Sequence, residues 1–141
     1  MKSNLSSDKA THGSTIEKNK QLVRSFAEDV FNRHDLAAVD KYMTGADSFK
    51  RYLGEYFAGH PDSHTTIDQI IAEGDKVFVL FVSTATNKHT GKRVTIKSAD
   101  VYRIANNMFV EHWDVVEASK LIGTSVAPAL HEVTESEVKV L

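Results

Sequence analysis

From Ile16 onward the apolar positions recur at helical spacing. In "IEKNKQLVRSFAEDVFNRH", Val23, Phe26, Ala27, Val30 and Phe31 fall on one stripe with charged residues opposite, which predicts an amphipathic helix. Asp35 is placed to cap a short second helix, "LAAVDKYM", that turns Leu36, Val39 and Tyr42 or Met43 toward the same core. "TGAD" interrupts the pattern, and Asp47 is the expected cap of a third helix, "SFKRYLGEYFAG". There Phe49, Tyr52, Leu53, Tyr56 and Phe57 repeat the i, i+3, i+4 stripe.

After "HPDSH" the period changes from 3.6 to 2. Glu73-Gly74-Asp75, His89-Thr90-Gly91 and Asn106-Asn107 are turn signals between β-branched and aromatic runs, and they predict four antiparallel strands joined as hairpins. Helices followed by a sheet make an α+β architecture. The runs "VFVLFVS" and "RVTIKSADVYRI" are long enough to curl, so the expected fold is a cone: a strongly curved sheet of about four strands closed by three N-terminal helices. We expect a flexible leader over residues 1–15, one cone domain over 16–117, and a poorly ordered tail over 118–141.

Two carboxylates disturb this pattern. Asp100 and Asp114 sit in runs that otherwise read as buried strands, where an ionised group without partners is costly. Their relation depends on register. With a two-residue turn at Asn106-Asn107, Asp100 lies opposite Trp113; with one more residue in the turn, Asp100 faces Asp114. In the second arrangement Asp100, Tyr102 and Ile104 share a face with Val110, His112, Asp114 and Val116. That surface is mostly apolar with a few convergent polar groups, the make-up of a ligand pocket.

Composition narrows the classes of function. Hydrophobic residues are 41% and charged residues 26% of the 141, the balance of an ordinary globular domain. No apolar run approaches the ~20 residues that span a bilayer, and the opening residues lack the apolar stretch of a secretory signal. A net charge of −2 gives no electrostatic case for nucleic acid or an anionic membrane. The absence of cysteine removes disulfides and thiolate metal sites and fits a cytoplasmic setting.

The run "ADVYRIANNMFVEHWDVVE", preceded by helices of the type "LVRSFAEDVFNRHDLAAVDKYM", resembles the SnoaL-like polyketide cyclases of the ketosteroid isomerase and nuclear transport factor superfamily. The resemblance implies a cone, commonly a homodimer through its sheet, with a pocket for hydrophobic ring-forming substrates. It implies an intramolecular aldol condensation that uses no metal or organic cofactor. By the motif, the catalytic aspartate falls on Asp114, which would remove a proton alpha to a carbonyl. The polyketide cyclases carry a histidine at the position matching Asp100, 14 residues before that aspartate. Here Asp100 would serve as a neutral acid donating a hydrogen bond to the oxyanion. His112, Tyr102, Trp113, Tyr42 and Tyr56 are the candidate substrate contacts. The connection Tyr42–Asp47 is shorter than the loop relatives carry, so part of the pocket wall is expected to be missing.

His60 and His64 are four apart, but Pro61 prevents the helix that would aim both at one metal. Glu111 alternates away from His112 and Asp114, so no metal is expected there either. The basic cluster Lys88, His89, Lys92, Arg93 and Lys97 lacks the interleaved aromatics of a nucleic-acid site and reads as a solvated hairpin. An epoxide-hydrolase arrangement of Asp100, Arg103 and Asp114 fails because Arg103 alternates to the opposite face. Two classes of function remain: a cofactor-independent enzyme with Asp114 as base, and a non-catalytic cone that binds a hydrophobic small molecule or serves for dimerisation.

Overall fold

The computed structural model describes residues 5–116, with side chains from residue 13 onward. The tail expected beyond residue 117 lies outside the described residues. The first helix, α1, runs Leu5–Phe26 and so begins well before Ile16. This corrects the flexible leader over residues 5–15. The stretch is polar but contains no proline, so nothing stops a helix nucleated in the amphipathic segment from propagating backward one bond per residue.

At its C-terminal end α1 widens into a π-helical turn, Ala27–Asn32, closed by Arg33 N–H donating to the Glu28 carbonyl at 3.0 Å. The wider turn buries Ala27 and Val30 and lets Phe31 reach the space under the sheet. A 3-10 helix follows, Leu36–Lys41, capped as expected by Asp35, whose carboxylate accepts from Ala38 N–H. The next helix, α2, spans Asp47–Gly59. Here the expectation is corrected: Ala46 is the capping position, without a side-chain cap, and Asp47 lies inside the first turn, where its charge complements the helix dipole.

Four strands, β1 (His64–Glu73), β2 (Lys76–Thr86), β3 (Arg93–Ala105) and β4 (Met108–Val116), form one antiparallel meander in the order β1-β2-β3-β4. The curled sheet is open rather than closed, and the helices cover its concave face. Phe26 is the pivot of the two layers. It is fully buried and meets the rings of Phe31, Tyr42, Phe49, Tyr102 and Phe109 at centroid distances of 5.1–6.3 Å. Asn32 adds a polar clamp at the sheet edge: its amide donates to the Thr65 carbonyl at 3.1 Å and accepts from Thr65 N–H at 2.8 Å.

The register of β3 against β4 resolves the aspartate question by a route that turn length alone did not anticipate. Asn106 and Asn107 both have positive φ, 50° and 59°, and form a two-residue turn, with Ala105 opposite Met108 and Ile104 opposite Phe109. The additional residue is in the strand. Between Ile104/Phe109 and Arg103/Glu111, Val110 has no partner, and this bulge brings Asp100 directly opposite Asp114. It also changes the faces. Phe109 turns into the core and Val110 is 46% exposed, so Val110 does not join the inner surface as parity predicted.

Among the described residues, no helix is long and apolar enough to cross a membrane. The convex face of the sheet carries an apolar row in which Ile71 pairs with Phe78, Phe78 with Val101 and Val101 with Trp113. Inserting one alanine after Val110 should move Glu111–Val116 one place along the pairing, turn Glu111 toward the core and destabilise the fold by several kcal/mol. Val110→Ala should stay within about 0.5 kcal/mol, since it trims a half-exposed side chain. Urea unfolding of the two variants checks the contrast, and equal losses would show that the bulge is not what sets the register.

Candidate functional site

Between α2 and the concave face lies a pocket of about 90 Å³, several times the room that one water needs. Its helix wall is aromatic and aliphatic: Phe49, Tyr52, Leu53, Tyr56 and Phe57, one face of α2 by the same stripe seen in the sequence. Its floor carries the hydroxyls of Ser63, Thr65, Ser83 and Ser98, with Thr65 Oγ1 and Ser83 Oγ 2.7 Å apart. Asp100, His112 and Asp114 form its charged end. The short connection before α2 therefore leaves the pocket walled by α2 itself.

The charged end is held from behind. Asp100 is 4% exposed, and its Oδ2 is hydrogen-bonded to His112 Nε2 at 2.7 Å and accepts from the Tyr102 hydroxyl at 3.4 Å. Its Oδ1 is buried and has no hydrogen-bond partner among the described residues. The His112 ring lies parallel to the fully buried Tyr102 ring, centroids 4.6 Å apart at 4°, and Phe49 approaches it edge-on at 6.4 Å. Asp114 is half-buried, lines the same end, and faces Asp100 across the β3–β4 pair.

The phenols around this end all favour their neutral form. Burial raises the pKa of Tyr52, and the fields of Asp114, Tyr56 and Asp100 raise it further. Tyr102 is pushed well up by burial and then by Asp100 and Asp114. Tyr56 is raised by burial, against a hydrogen bond with Ser63 that works the other way. Neutral phenols are hydrogen-bond donors, so Tyr52 and Tyr56 offer O–H groups to a pocket whose far end is acidic.

The candidate contacts divide. Asp100, His112, Asp114 and Tyr56 line the pocket. Tyr102 lies behind His112 and supports it. Tyr42 is drawn away: its hydroxyl donates to Asp29 Oδ2 at 2.6 Å, and its ring packs against Phe26 and Phe109. Trp113 alternates to the convex face and is 41% exposed, so it does not reach the pocket. Arg103 also faces outward, bound to Glu111 at 2.8 Å, which leaves the Asp, Arg, Asp arrangement unassembled. Tyr52 and the hydroxyl floor were missed by sequence reasoning. The parity of Ser83 with Phe81 and of Ser98 with Asp100 was the available signal.

Asp100, His112 and Asp114 each present one ligand atom, and these atoms lie within 4.8 Å of one another. The donor set suits a divalent cation of intermediate hardness. A cation there would have to replace the proton shared by His112 and Asp100.

The sequence model of the SnoaL-like domain matches residues 20–112. Among solved structures, the chain is similar to a candidate polyketide cyclase from Acidithiobacillus ferrooxidans, at 23% identity over 82% of this chain and 96% of that one, TM-score 0.64. It is similar to AclR, a candidate hydroxylase from Streptomyces galilaeus, at 22% identity over 75% and 93%, TM-score 0.66. A candidate SnoaL-like polyketide cyclase from Jannaschia sp. CCS1 matches at 16% identity over 79% and 94%, TM-score 0.68. At these identities the likeness shows the fold. No curated protein matches the chain.

All four tyrosines of the sequence, Tyr42, Tyr52, Tyr56 and Tyr102, have raised pKa values in the folded state. A raised folded pKa stabilises the fold fully below the unfolded value of about 10 and loses that contribution as pH rises through the folded values. The folded protein should therefore show little tyrosinate absorbance at pH 10.5, and its urea midpoint should fall between pH 9 and pH 11. Normal titration of four phenols near pH 10 in the folded protein would contradict the burial described.

Proposed function

Because the chain belongs to the SnoaL-like domain family, we propose that it abstracts a proton alpha to a carbonyl of a hydrophobic substrate, in an intramolecular aldol condensation or related reaction, with Asp114 as the base. The observation that carries the reading is Asp114 facing a buried, histidine-bound Asp100 at the charged end of an otherwise apolar pocket. A carboxylate in such a setting is a competent base toward a C–H bond made acidic by an adjacent carbonyl. The proton passes to Asp114 and the electron pair to the carbonyl oxygen. The resulting enolate carbon attacks a second carbonyl of the same molecule, and Asp114 returns the proton to the new alkoxide.

The neutral phenols of Tyr52 and Tyr56 are suited to stabilise the oxygen on which charge develops, because a preformed donor aimed at that oxygen lowers the barrier more than it tightens substrate binding. The aromatic wall of α2 positions the substrate rings. The apolar row on the convex face supports the further expectation of a homodimer, which sedimentation equilibrium tests: Trp113→Lys should shift the assembly toward monomer, and a monomeric unaltered protein rejects it.

The chemistry is tested with 1-tetralone in D2O. Unaltered protein should accelerate deuterium incorporation at the carbon alpha to the carbonyl, read by NMR, and Asp114→Asn should lose at least about a hundredfold of that acceleration. Its thermal midpoint should stay equal or rise, because a partly desolvated carboxylate is removed. Equal exchange by the variant removes Asp114 from the role. Ligand-induced thermal stabilisation without any exchange favours the second reading, a cone that binds and does not turn over.

A further inference from the structure

Asp100 is not explained by the base chemistry. Both protein groups that reach it, His112 Nε2 and the Tyr102 hydroxyl, go to the same oxygen, Oδ2. Its other oxygen, Oδ1, is buried and lacks a partner among the described residues, while the residue itself lines the pocket. A buried acceptor left unmade costs free energy that the fold must offset elsewhere, so such an atom is a natural anchor for a ligand.

We infer that the pocket takes a planar ligand carrying a hydroxyl donor, an enol or phenol O–H, which is donated to Asp100 Oδ1 while the rings lie against the aromatic wall of α2. The inference deepens the proposed function, resting on it only in using the same pocket. It selects, among hydrophobic carbonyl compounds, those that carry an enolised or phenolic oxygen beside the reacting carbon. A ketone or ether oxygen at the same place would bring a lone pair against the Asp100 carboxylate and be rejected. Discrimination of this type is steep, because the wrong ligand leaves a buried charge-bearing acceptor unpaired.

His112 makes the selection directional. Its ring is held between Tyr102 and Phe49 and by the 2.7 Å bond to Asp100, so the carboxylate cannot rotate to offer Oδ2 without breaking that bond. Oδ1 is then the oxygen left for a ligand. Asp114 lines the same end opposite it.

The test is equilibrium binding of 2-naphthol against 2-methoxynaphthalene, two probes of one ring system that differ in the donor. By calorimetry at pH 7, the unaltered protein should bind the naphthol at least about tenfold more tightly. Equal affinities overturn the inference whatever any variant does. Asp100→Asn should erase the preference by presenting an amide N–H2 in place of Oδ1, and its thermal unfolding confirms that the variant is folded. If the folded variant keeps the full preference, another group reads the hydroxyl and the assignment to Asp100 falls. Neither probe has to be turned over, so this result stands apart from the deuterium exchange that tests Asp114.

Discussion

The position of one residue without a cross-strand partner, Val110, governs which side chains share the interior of this cone. A two-residue turn at Asn106-Asn107 on its own would set Asp100 against Trp113 and send Asp114 to the convex face. The bulge shifts every residue beyond it by one place, and side chains alternate with a period of two, so the whole of β4 from Glu111 to Val116 exchanges faces. His112 and Asp114 enter the pocket and Trp113 leaves it. The fold tolerates the bulge because it lies near the closed end of the hairpin, where Phe109 can still turn inward and its N–H donates to the Tyr42 carbonyl at 2.7 Å.

From that register the aromatic core reaches the site by direct contact. Phe26 joins the helices to Tyr102 and Phe109, and Tyr102 in turn stacks on His112. The imidazole plane is thus set by packing that continues to the centre of the molecule, while its Nε2 is held by Asp100. A charged end on rigid strands and an aromatic wall on a helix divide the labour: one fixes polar atoms to within a bond length, the other supplies broad apolar area.

Much of this was legible in the sequence because it rests on periodicity. The α2 stripe, the four strands and the three turns are local patterns, and the structure places each where its spacing indicated. What was not legible depends on contacts distant along the chain. Turn length could be read from Asn106-Asn107, but the bulge showed only as broken alternation at Met108-Phe109-Val110, which several registers explain. Tyr42 looked like a pocket residue, but Asp29, 13 residues earlier on the π-helical turn, holds its hydroxyl. Tyr52 looked like core because its stripe is that of a core helix, and only the pocket beneath α2 distinguishes it from Leu53. The early start of α1 was hidden because a polar stretch without proline permits a helix without demanding one.

The two carboxylates are alike in chemistry and unlike in setting, and the setting separates their roles. Asp100 is the deeper one, tied by two hydrogen bonds on one oxygen. Asp114 is less buried, opposite it, and close enough to a neutral phenol, Tyr52, to influence that group's ionisation. A base must change its protonation during turnover and then recover, which suits the more accessible group. An anchor must hold one orientation throughout, which suits the group fixed by its bonds to His112 and Tyr102. The family resemblance sets a histidine at the position of Asp100, on β3. Here the imidazole reaches the same end of the pocket from β4, at His112, diagonally across the pair from Asp100. Asp100 itself supplies the orphan acceptor at that end, its buried Oδ1.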